Sequence, residues 1–356
     1  MSQVLEYKCP CCDSPLVFSE QHKLSCDSCG NEFELETVKV YHQAADSEDS
    51  FTWEETSNQC WSEEEQKNLH SFECPSCGGQ ILAEDTTAAT FCPYCDNPAV
   101  LPGRVSGGIR PDAIIPFQNT LQDAKDSFQK LCKGKPLLPK DFASSHRVER
   151  ITGLYVPFWL YSCGGNFRGR YRATRVHHWS DSQYHYTKTS YFMLTRAARA
   201  AFEAIPMDGS SKMNNVIMES IEPFDYQYLK DFDPGYLTGF LADKYDVQAE
   251  SGEARIRQRV DDTMSAQIAS TCIGYASVIP TSKNLNVEHS KAKYVLLPVW
   301  MLTTRYKDKL YTFAMNGQSG KMTGTFPICP KRSAAWFVGI CAAVTAVVSL
   351  IQYLAL

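Results

Sequence analysis

The apolar positions of this chain change period along its length, and each change predicts an element. From Thr120, the positions Leu121, Ala124, Phe128, Leu131 and Cys132 repeat at helical spacing. Thr120 reads as the N-cap, Asp123 as its capping-box partner and Gly134 as the stop. Ile256, Val260, Met264 and Ile268 step by four and predict a second helix over 251–270. Ile114-Ile115-Pro116-Phe117 reads as a short strand entry. Leu154–Tyr161, the alternation around Phe167 and Tyr171, and the Tyr- and Thr-rich stretch Tyr184–Leu194 read as strand. Arg196–Ala204 has helical propensity but lies between strands and is left unassigned. Tyr294–Arg305, Leu310–Asn316 and Lys321–Phe326 predict a three-strand meander, turning at Lys307–Lys309 and Gly317–Gly320. Val156-Pro157-Phe158-Trp159 matches Leu297-Pro298-Val299-Trp300, which suggests two related α+β halves, with coincidence among core aromatics as the competing reading.

Toward its end the chain loses its polar positions. Ala334–Leu356 runs 23 residues without a charge. As a helix it spans about 34 Å at ~1.5 Å per residue, more than the ~30 Å of a hydrocarbon core. Trp336 and Tyr353 fall near its ends, where amphipathic rings favour the interface, and Lys331 and Arg332 flank one side alone. One membrane-spanning helix over 334–356 is expected, with the preceding body cytoplasmic. A buried helix of a soluble core is the competing reading, and an uncharged run of this length argues against it. Met1 to Lys8 lacks the apolar core of a signal peptide.

Composition adds a charge split. The chain is 44% hydrophobic and 12% aromatic, enough for a sizeable core. Its net charge of −5 combines an acidic arm with a basic body. Residues 1–100 hold 19 acidic and 4 basic residues, and residues 101–356 hold 21 and 31. A basic body suits an anionic inner leaflet, at roughly 1 kcal/mol per cation close to the surface. An acidic arm is a poor ligand for phosphate backbones.

Eight of the fifteen cysteines form four C-x-x-C pairs in two matching sets. Cys9/Cys12 precedes Cys26/Cys29 by thirteen residues, and Cys74/Cys77 precedes Cys92/Cys95 by fourteen. This is zinc-ribbon spacing: two tight turns bring four thiolates to one tetrahedral Zn²⁺. Proline follows Cys9, Cys74 and Cys92, and Gly30 follows Cys29 where a positive φ is useful. A redox pair would not recur at this spacing, and a disulfide framework does not suit a reducing compartment. Two Zn²⁺ per chain are therefore expected. Cys11 is out of register with the ligands, exchange with Cys12 being the alternative, and Cys60, Cys132, Cys163, Cys272, Cys329 and Cys341 are scattered singly.

No catalytic constellation stands out, so the chain is not expected to be an enzyme, and no small-molecule substrate is inferred. Gly320-Lys321 lacks the earlier glycine and the Ser/Thr of a phosphate loop. His177, His178 and His185 have no cysteine or carboxylate at ligand spacing and read as exposed strand histidines.

The order of these features carries a resemblance. Both ribbons, Ile114–Phe117, Tyr155-Val-Pro-Phe-Trp159, Glu222-Pro-Phe224, Tyr236-Leu-Thr-Gly-Phe240 and the apolar tail together resemble the YdjG-type double-zinc-ribbon proteins encoded beside phage-shock-protein-A homologues. Such chains are also labelled primosomal helicase-like, a label that requires ATPase motifs this sequence lacks. The resemblance implies a membrane-bound adaptor for envelope stress, with phage-shock-protein-A-like and flotillin-like, ribbon-bearing partners. The alternative is a nucleic-acid-binding ribbon protein related to replication or transcription ribbons. The expected fold class is α+β: two zinc-ribbon modules, a mixed body rich in antiparallel strands and one transmembrane helix. The expected divisions are ribbon one at 1–40, an acidic linker at 41–71, ribbon two at 72–101, a joint beginning at Pro102, the body at 110–330 and the span at 334–356. Trp53 and Trp61, in the linker, are candidate partner hot spots, with packing inside the chain, on the ribbons or the body, as the competing reading.

Overall fold

The computed structural model describes residues 7–18, 23–46, 54–55, 61–62, 65–66, 69–84, 92–97, 101–104, 109–139, 142, 151–307 and 309–355. Trp53 and Cys60 lie outside the described residues. Short strands β1 (Val17–Phe18), β2 (Lys23–Ser25) and β3 (Glu32–Glu34) lead into helix α1 (Leu35–Asp46). Strands β4 (Glu54–Glu55), β5 (Leu69–Glu73), β6 (Gln80–Glu84), β7 (Leu101–Arg104) and β8 (Ala113–Ile114) precede α2 (Leu121–Cys132). Two long strands follow, β9 (Thr152–Ser180) and β10 (His185–Asp208). Helix α3 (Asn215–Ser220), β11 (Lys230–Asp231) and β12 (Leu241–Asp243) lead to α4 (Glu253–Ser270). The chain continues through β13 (Ser277–Tyr306), β14 (Lys309–Asn316), β15 (Met322–Gly324) and α5 (Pro330–Ala355).

The expected helix signals hold. The Thr120 hydroxyl accepts from the Asp123 amide at 3.3 Å, the Asp123 carboxylate accepts from the Thr120 amide at 2.8 Å, and Gly134 ends the turn at φ +75°. The apolar face of α4 is buried at Ile256, Val260, Met264 and Ile268. This helix starts at Glu253, after a 3₁₀ turn over Ala249–Gly252, slightly later than its periodicity predicts. Arg196–Ala204, left unassigned, belongs to β10: pairing with β9 overrides its alanine-rich helical propensity.

The chain divides into two compact units. The first comprises Met1–Thr56, Leu160–Met207 and Ala249–Lys293. Its small sheet β1–β2–β3 is antiparallel, with Leu24 opposite Phe33. Helix α4 packs on the long strands. A Cβ at Gly165 would lie 2.9 Å from Met264 Sδ and 3.2 Å from the Phe202 ring, so glycine permits the close approach.

The second unit comprises Ser57–Trp159, Asp208–Gln248 and Tyr294–Leu356. Its strands follow the order β11-β8-β13-β9-β12-β6-β5-β7. Strands β13, β14 and β15 form the expected antiparallel meander. Helix α2 buries Ala124 and Phe128 in a core with Phe142, Leu302, Phe313 and Met315.

Two expectations are settled in this unit. Pro102–Arg104, read as the start of a joint, instead completes strand β7, which pairs with β5, Leu101 opposite Glu73. Trp61, read either as a partner hot spot or as packed within the chain, takes the second course: it is buried edge-on against Phe232 at 5.8 Å. Arg110 secures that packing: it lies 5.1 Å over the Phe232 ring, donates to the Phe232 carbonyl at 2.8 Å and pairs with Glu65 at 2.9 Å. An aromatic ring with an apolar wall within reach leaves water.

The matching Val-Pro-Phe-Trp and Leu-Pro-Val-Trp segments mark a structural repeat. In chain order, β8-α2-β9-β10 and β12-α4-β13-β14 are the same β-α-β-β unit. Their backbone bonds correspond. Gly209 N donates to Pro157 O and Gly317 N to Pro298 O, both at 2.8 Å. The Gly209 carbonyl accepts from Asp246 and Val247, and the Gly317 carbonyl from Gln118 and Asn119. Trp159 Nε1 donates to Val247 O at 2.8 Å, and Trp300 Nε1 to Asn119 O at 3.3 Å. The leading strands are exchanged. Strand β8 of the first repeat runs parallel to β13 of the second, Ile114 opposite Leu296, while β12 of the second runs parallel to β9 of the first, Ala242 opposite Tyr155.

Helix α5 is long and apolar enough over Pro330–Leu354 to cross a membrane, and its most apolar stretch is not buried. Its first turn is tied to the second unit: Arg332 Nη1 donates to Leu138 O at 2.5 Å, and Cys329 N to Leu137 O at 2.9 Å.

Candidate metal centres

Each ligand pair sits on the same backbone turn. The amide of the first cysteine donates to the carbonyl five residues on, and its carbonyl accepts from the amide four residues on. This holds for Cys9 with Ser14 and Asp13, for Cys26 with Asn31 and Gly30, for Cys74 with Gly79 and Gly78, and for Cys92 with Asn97 and Asp96. The fourth residue is left-handed in every case: Asp13 at φ 60°, Gly30 at 68°, Gly78 at 67° and Asp96 at 60°. Glycine and Asp tolerate that conformation best. Asp13 and Asp96 therefore occupy positions equivalent to Gly30, a role their identity alone did not announce.

The turns converge the sulfurs. Cys9, Cys12, Cys26 and Cys29 form one cluster and Cys74, Cys77, Cys92 and Cys95 another, with the ligand atoms of each within 4.8 Å of one another. The Sγ–Sγ distances are 3.6 Å for Cys9–Cys29, 3.4 Å for Cys12–Cys26, and 3.6 Å for both Cys74–Cys95 and Cys77–Cys92. A tetrahedral Zn²⁺ with Zn–S bonds of ~2.3 Å sets sulfurs about 3.8 Å apart, so the donor sets fit two zinc ions per chain. Zinc would hold all four sulfurs as thiolates and supply much of each ribbon's folding energy.

The electrostatics agree with that chemistry. Burial pushes the Cys9 and Cys92 thiols well up, and those of Cys26 and Cys77 upward too. Hydrogen bonds from the Ser14 hydroxyl and amide pull Cys12 down to about 6. Burial opposes ionisation of Cys74, but the Cys77 and Ser76 amides bring it to about 7. Hydrogen bonds from Asn31 lower Cys29, whose Sγ accepts from Asn31 Nδ2 at 3.1 Å. Four crowded thiols cannot all ionise alone, and a divalent cation is what permits it.

Cys11 is not in the cluster. Its amide donates to Cys9 Sγ at 3.4 Å and its own sulfur lies 3.9 Å from Thr195 Oγ1. Among the described residues, these two clusters are the groups placed to hold a metal ion, and the three strand histidines are not in one.

Both ribbons are built into larger structure. In the first unit, Asp13 pairs with Arg170 at 2.8 Å, and Arg168 lies 4.3 Å over the Tyr41 ring of α1. In the second, ribbon strand β6 pairs with β12, Leu82 opposite Ala242 and Ile81 opposite Asp243. Lys212 Nζ donates to the Cys77 carbonyl at 2.7 Å. The knuckle residue Tyr94 is buried beside Asp243. Neither Tyr94 Oη nor Asp243 Oδ2 completes a hydrogen bond of ordinary geometry. Burial raises the Asp243 carboxyl to about 7, against the pull of Ser210 and Tyr94, and the Asp246 charge pushes it the same way. Sequence reasoning missed Asp243, because a lone Asp after Leu-Ala carries no signal.

No family model and no solved structure matches the chain. It is 35% identical over 338 residues to a protein of Bacillus subtilis (strain 168) bearing the name "Uncharacterized protein YdjG", a match covering 95% of this chain and 94% of that one. Identity at that level over nearly the whole of both chains shows common descent, and the chain belongs to the YdjG family.

Proposed function

We propose that the chain is a membrane-anchored zinc-ribbon adaptor without catalytic activity, which recruits soluble partners to the cytoplasmic membrane. The observation that carries this reading is the pairing, in one chain, of two four-cysteine clusters with an apolar helix long enough to span a bilayer. Zinc in a four-thiolate site has no open position, so it stabilises a surface rather than activating water. Lys331 and Arg332 beside the span favour a cytoplasmic body. Envelope-stress partners of the phage-shock-protein-A-like and flotillin-like kinds rest on the family resemblance. The acidity of residues 1–100 argues against the alternative, a nucleic-acid-binding ribbon protein.

The test is a pull-down from membranes. Removing Ala334–Leu356 should release the chain into the soluble fraction at high salt, where the basic body no longer holds to anionic lipid. Ribbon one is the safer ribbon to disrupt, since β6 of ribbon two belongs to a larger sheet. Cys12→Ser/Cys29→Ser should lose the partner while the chain stays in the membrane. Full recruitment by that variant assigns partner binding elsewhere. An N-terminal tag cleaved by protease outside intact cells overturns the orientation. Binding of the full-length, zinc-loaded protein to DNA at physiological salt through its ribbons supports the nucleic-acid reading instead.

A further inference from the structure

The tip of the β9–β10 hairpin, in the first unit, presents aromatic rings to solvent. Asp181 N donates to Tyr184 O, which closes the turn and sets Trp179 opposite Tyr186. Trp179 stacks on Tyr186 at 5.3 Å and 12°, and on His177 at 5.4 Å and 28°. Tyr184 meets Tyr186 edge-on at 6.3 Å. These rings share one sheet face, since side chains alternate along a strand and opposed residues project together. Trp179 is 46% exposed and Tyr184 is 62% exposed, which is unusual for rings of this size.

The hairpin's own charge is mostly of one sign. Residues 168–199 carry seven Arg or Lys and a single acid, Asp181. That carboxylate is engaged: it accepts from the Gln183 and Tyr184 amides and from the Tyr186 hydroxyl. On the aromatic face, Lys188 is exposed, and the exposed Arg175 lies over Phe192 and Tyr275 at 5.4 and 5.3 Å. Arg172, His178 and His185 are exposed on or near the opposite face.

The geometry points to an anionic bilayer surface as the occupant of this hairpin face, with Trp179, Tyr184 and Tyr186 seated among the headgroups and Lys188 and Arg175 against lipid phosphates. Three observations favour lipid. The rings at the tip are Trp and Tyr, which pair an apolar body with a polar edge and partition to the interface. The cations complement an anionic leaflet. The rings also stack on one another, so Trp179 offers its outward rim rather than an open face. A single-stranded nucleic acid would need open faces to stack its bases. The inference uses the first unit alone and does not depend on the α5 anchor.

The experiment uses the full-length, zinc-loaded chain in nanodiscs of brominated phosphatidylcholine, alone or mixed equally with brominated phosphatidylglycerol. Tryptophan quenching is read in the unaltered protein, in Trp179→Phe and in Trp336→Phe, so that differences isolate the hairpin and α5. Trp179 should be quenched strongly in anionic discs and several-fold less in zwitterionic ones. Lys188→Gln and Arg175→Gln should each shift the docked equilibrium roughly fivefold toward the free hairpin. Added salt should do the same to the unaltered protein, which removes any doubt about the variants' folding. Quenching at Trp336 but not Trp179 overturns the inference and keeps the anchor. Quenching at Trp179 but not Trp336 supports the hairpin and sinks the anchor. Quenching at neither sinks both. A single-stranded oligonucleotide that displaces Trp179 from anionic discs at physiological salt overturns lipid as the occupant.

Discussion

Replacing Asp243 with Asn tests how ribbon two is joined to the second unit. Asp243 sits opposite Ile81 of β6, fully buried, with its carboxyl raised to about 7. In the unfolded chain the same group titrates near 3.9. The folded state therefore holds a proton that the unfolded state releases. Its contribution is fully present below about pH 4 and is lost as pH rises through about 7. Between pH 6 and 8 the folded carboxyl passes from mostly protonated to mostly charged. At 1.36 kcal/mol per unit, that interval removes about 1.4 kcal/mol of stability, a tenfold change in the unfolding equilibrium. The window stays above the acidity at which zinc thiolates protonate. Amide hydrogen exchange at Ile81 and Leu82, corrected for intrinsic rate, should show protection falling by that factor in the unaltered protein. In Asp243→Asn it should stay flat. Equal protection at both pH values in the unaltered protein, or the same fall in Asp243→Asn, refutes the reasoning.

Metal analysis of purified full-length protein should find two zinc ions per chain, and Cys74→Ser should leave one; a value of one or none in the unaltered chain contradicts the four-thiolate assignment. Trp61→Ala should destabilise the second unit by about 3 kcal/mol in urea melts, since it empties the space beside Phe232. No change there would mean that Trp61 is free to act as a partner contact. Gly165→Ala should cost about 1–3 kcal/mol, because its methyl meets Met264, and Met264→Ala in the same chain should relieve part of that cost.

The eight metal ligands were legible because a knuckle is local: spacing, proline and one left-handed residue define it. The capping box at Thr120 and the buried stripe of α4 were legible for the same reason. What escaped the sequence is long-range. The lengths of β9 and β13 were not legible: Gly164 and Gly165 fall between the stretches read as strand, and β13 begins at Ser277, well before Tyr294. Arg196–Ala204 is strand because β9 lies beside it, a fact absent from its own composition. Trp61 sat in polar text, and the ring that buries it is far along the chain. Ribbon two looked like a detachable module because its pairing partner, β12, is three residues long. The charge split was plain, but where the cations gather on one hairpin depends on the strand alternation.

The exchanged leading strands have an evolutionary consequence. In each β-α-β-β repeat, the first strand completes the sheet of the other repeat. A polypeptide with a single repeat would leave that position vacant and offer its own first strand to a neighbour. Two such polypeptides would satisfy each other reciprocally, as a strand-exchanged homodimer. Gene duplication and fusion would then freeze the exchange within one chain and free its two copies to diverge.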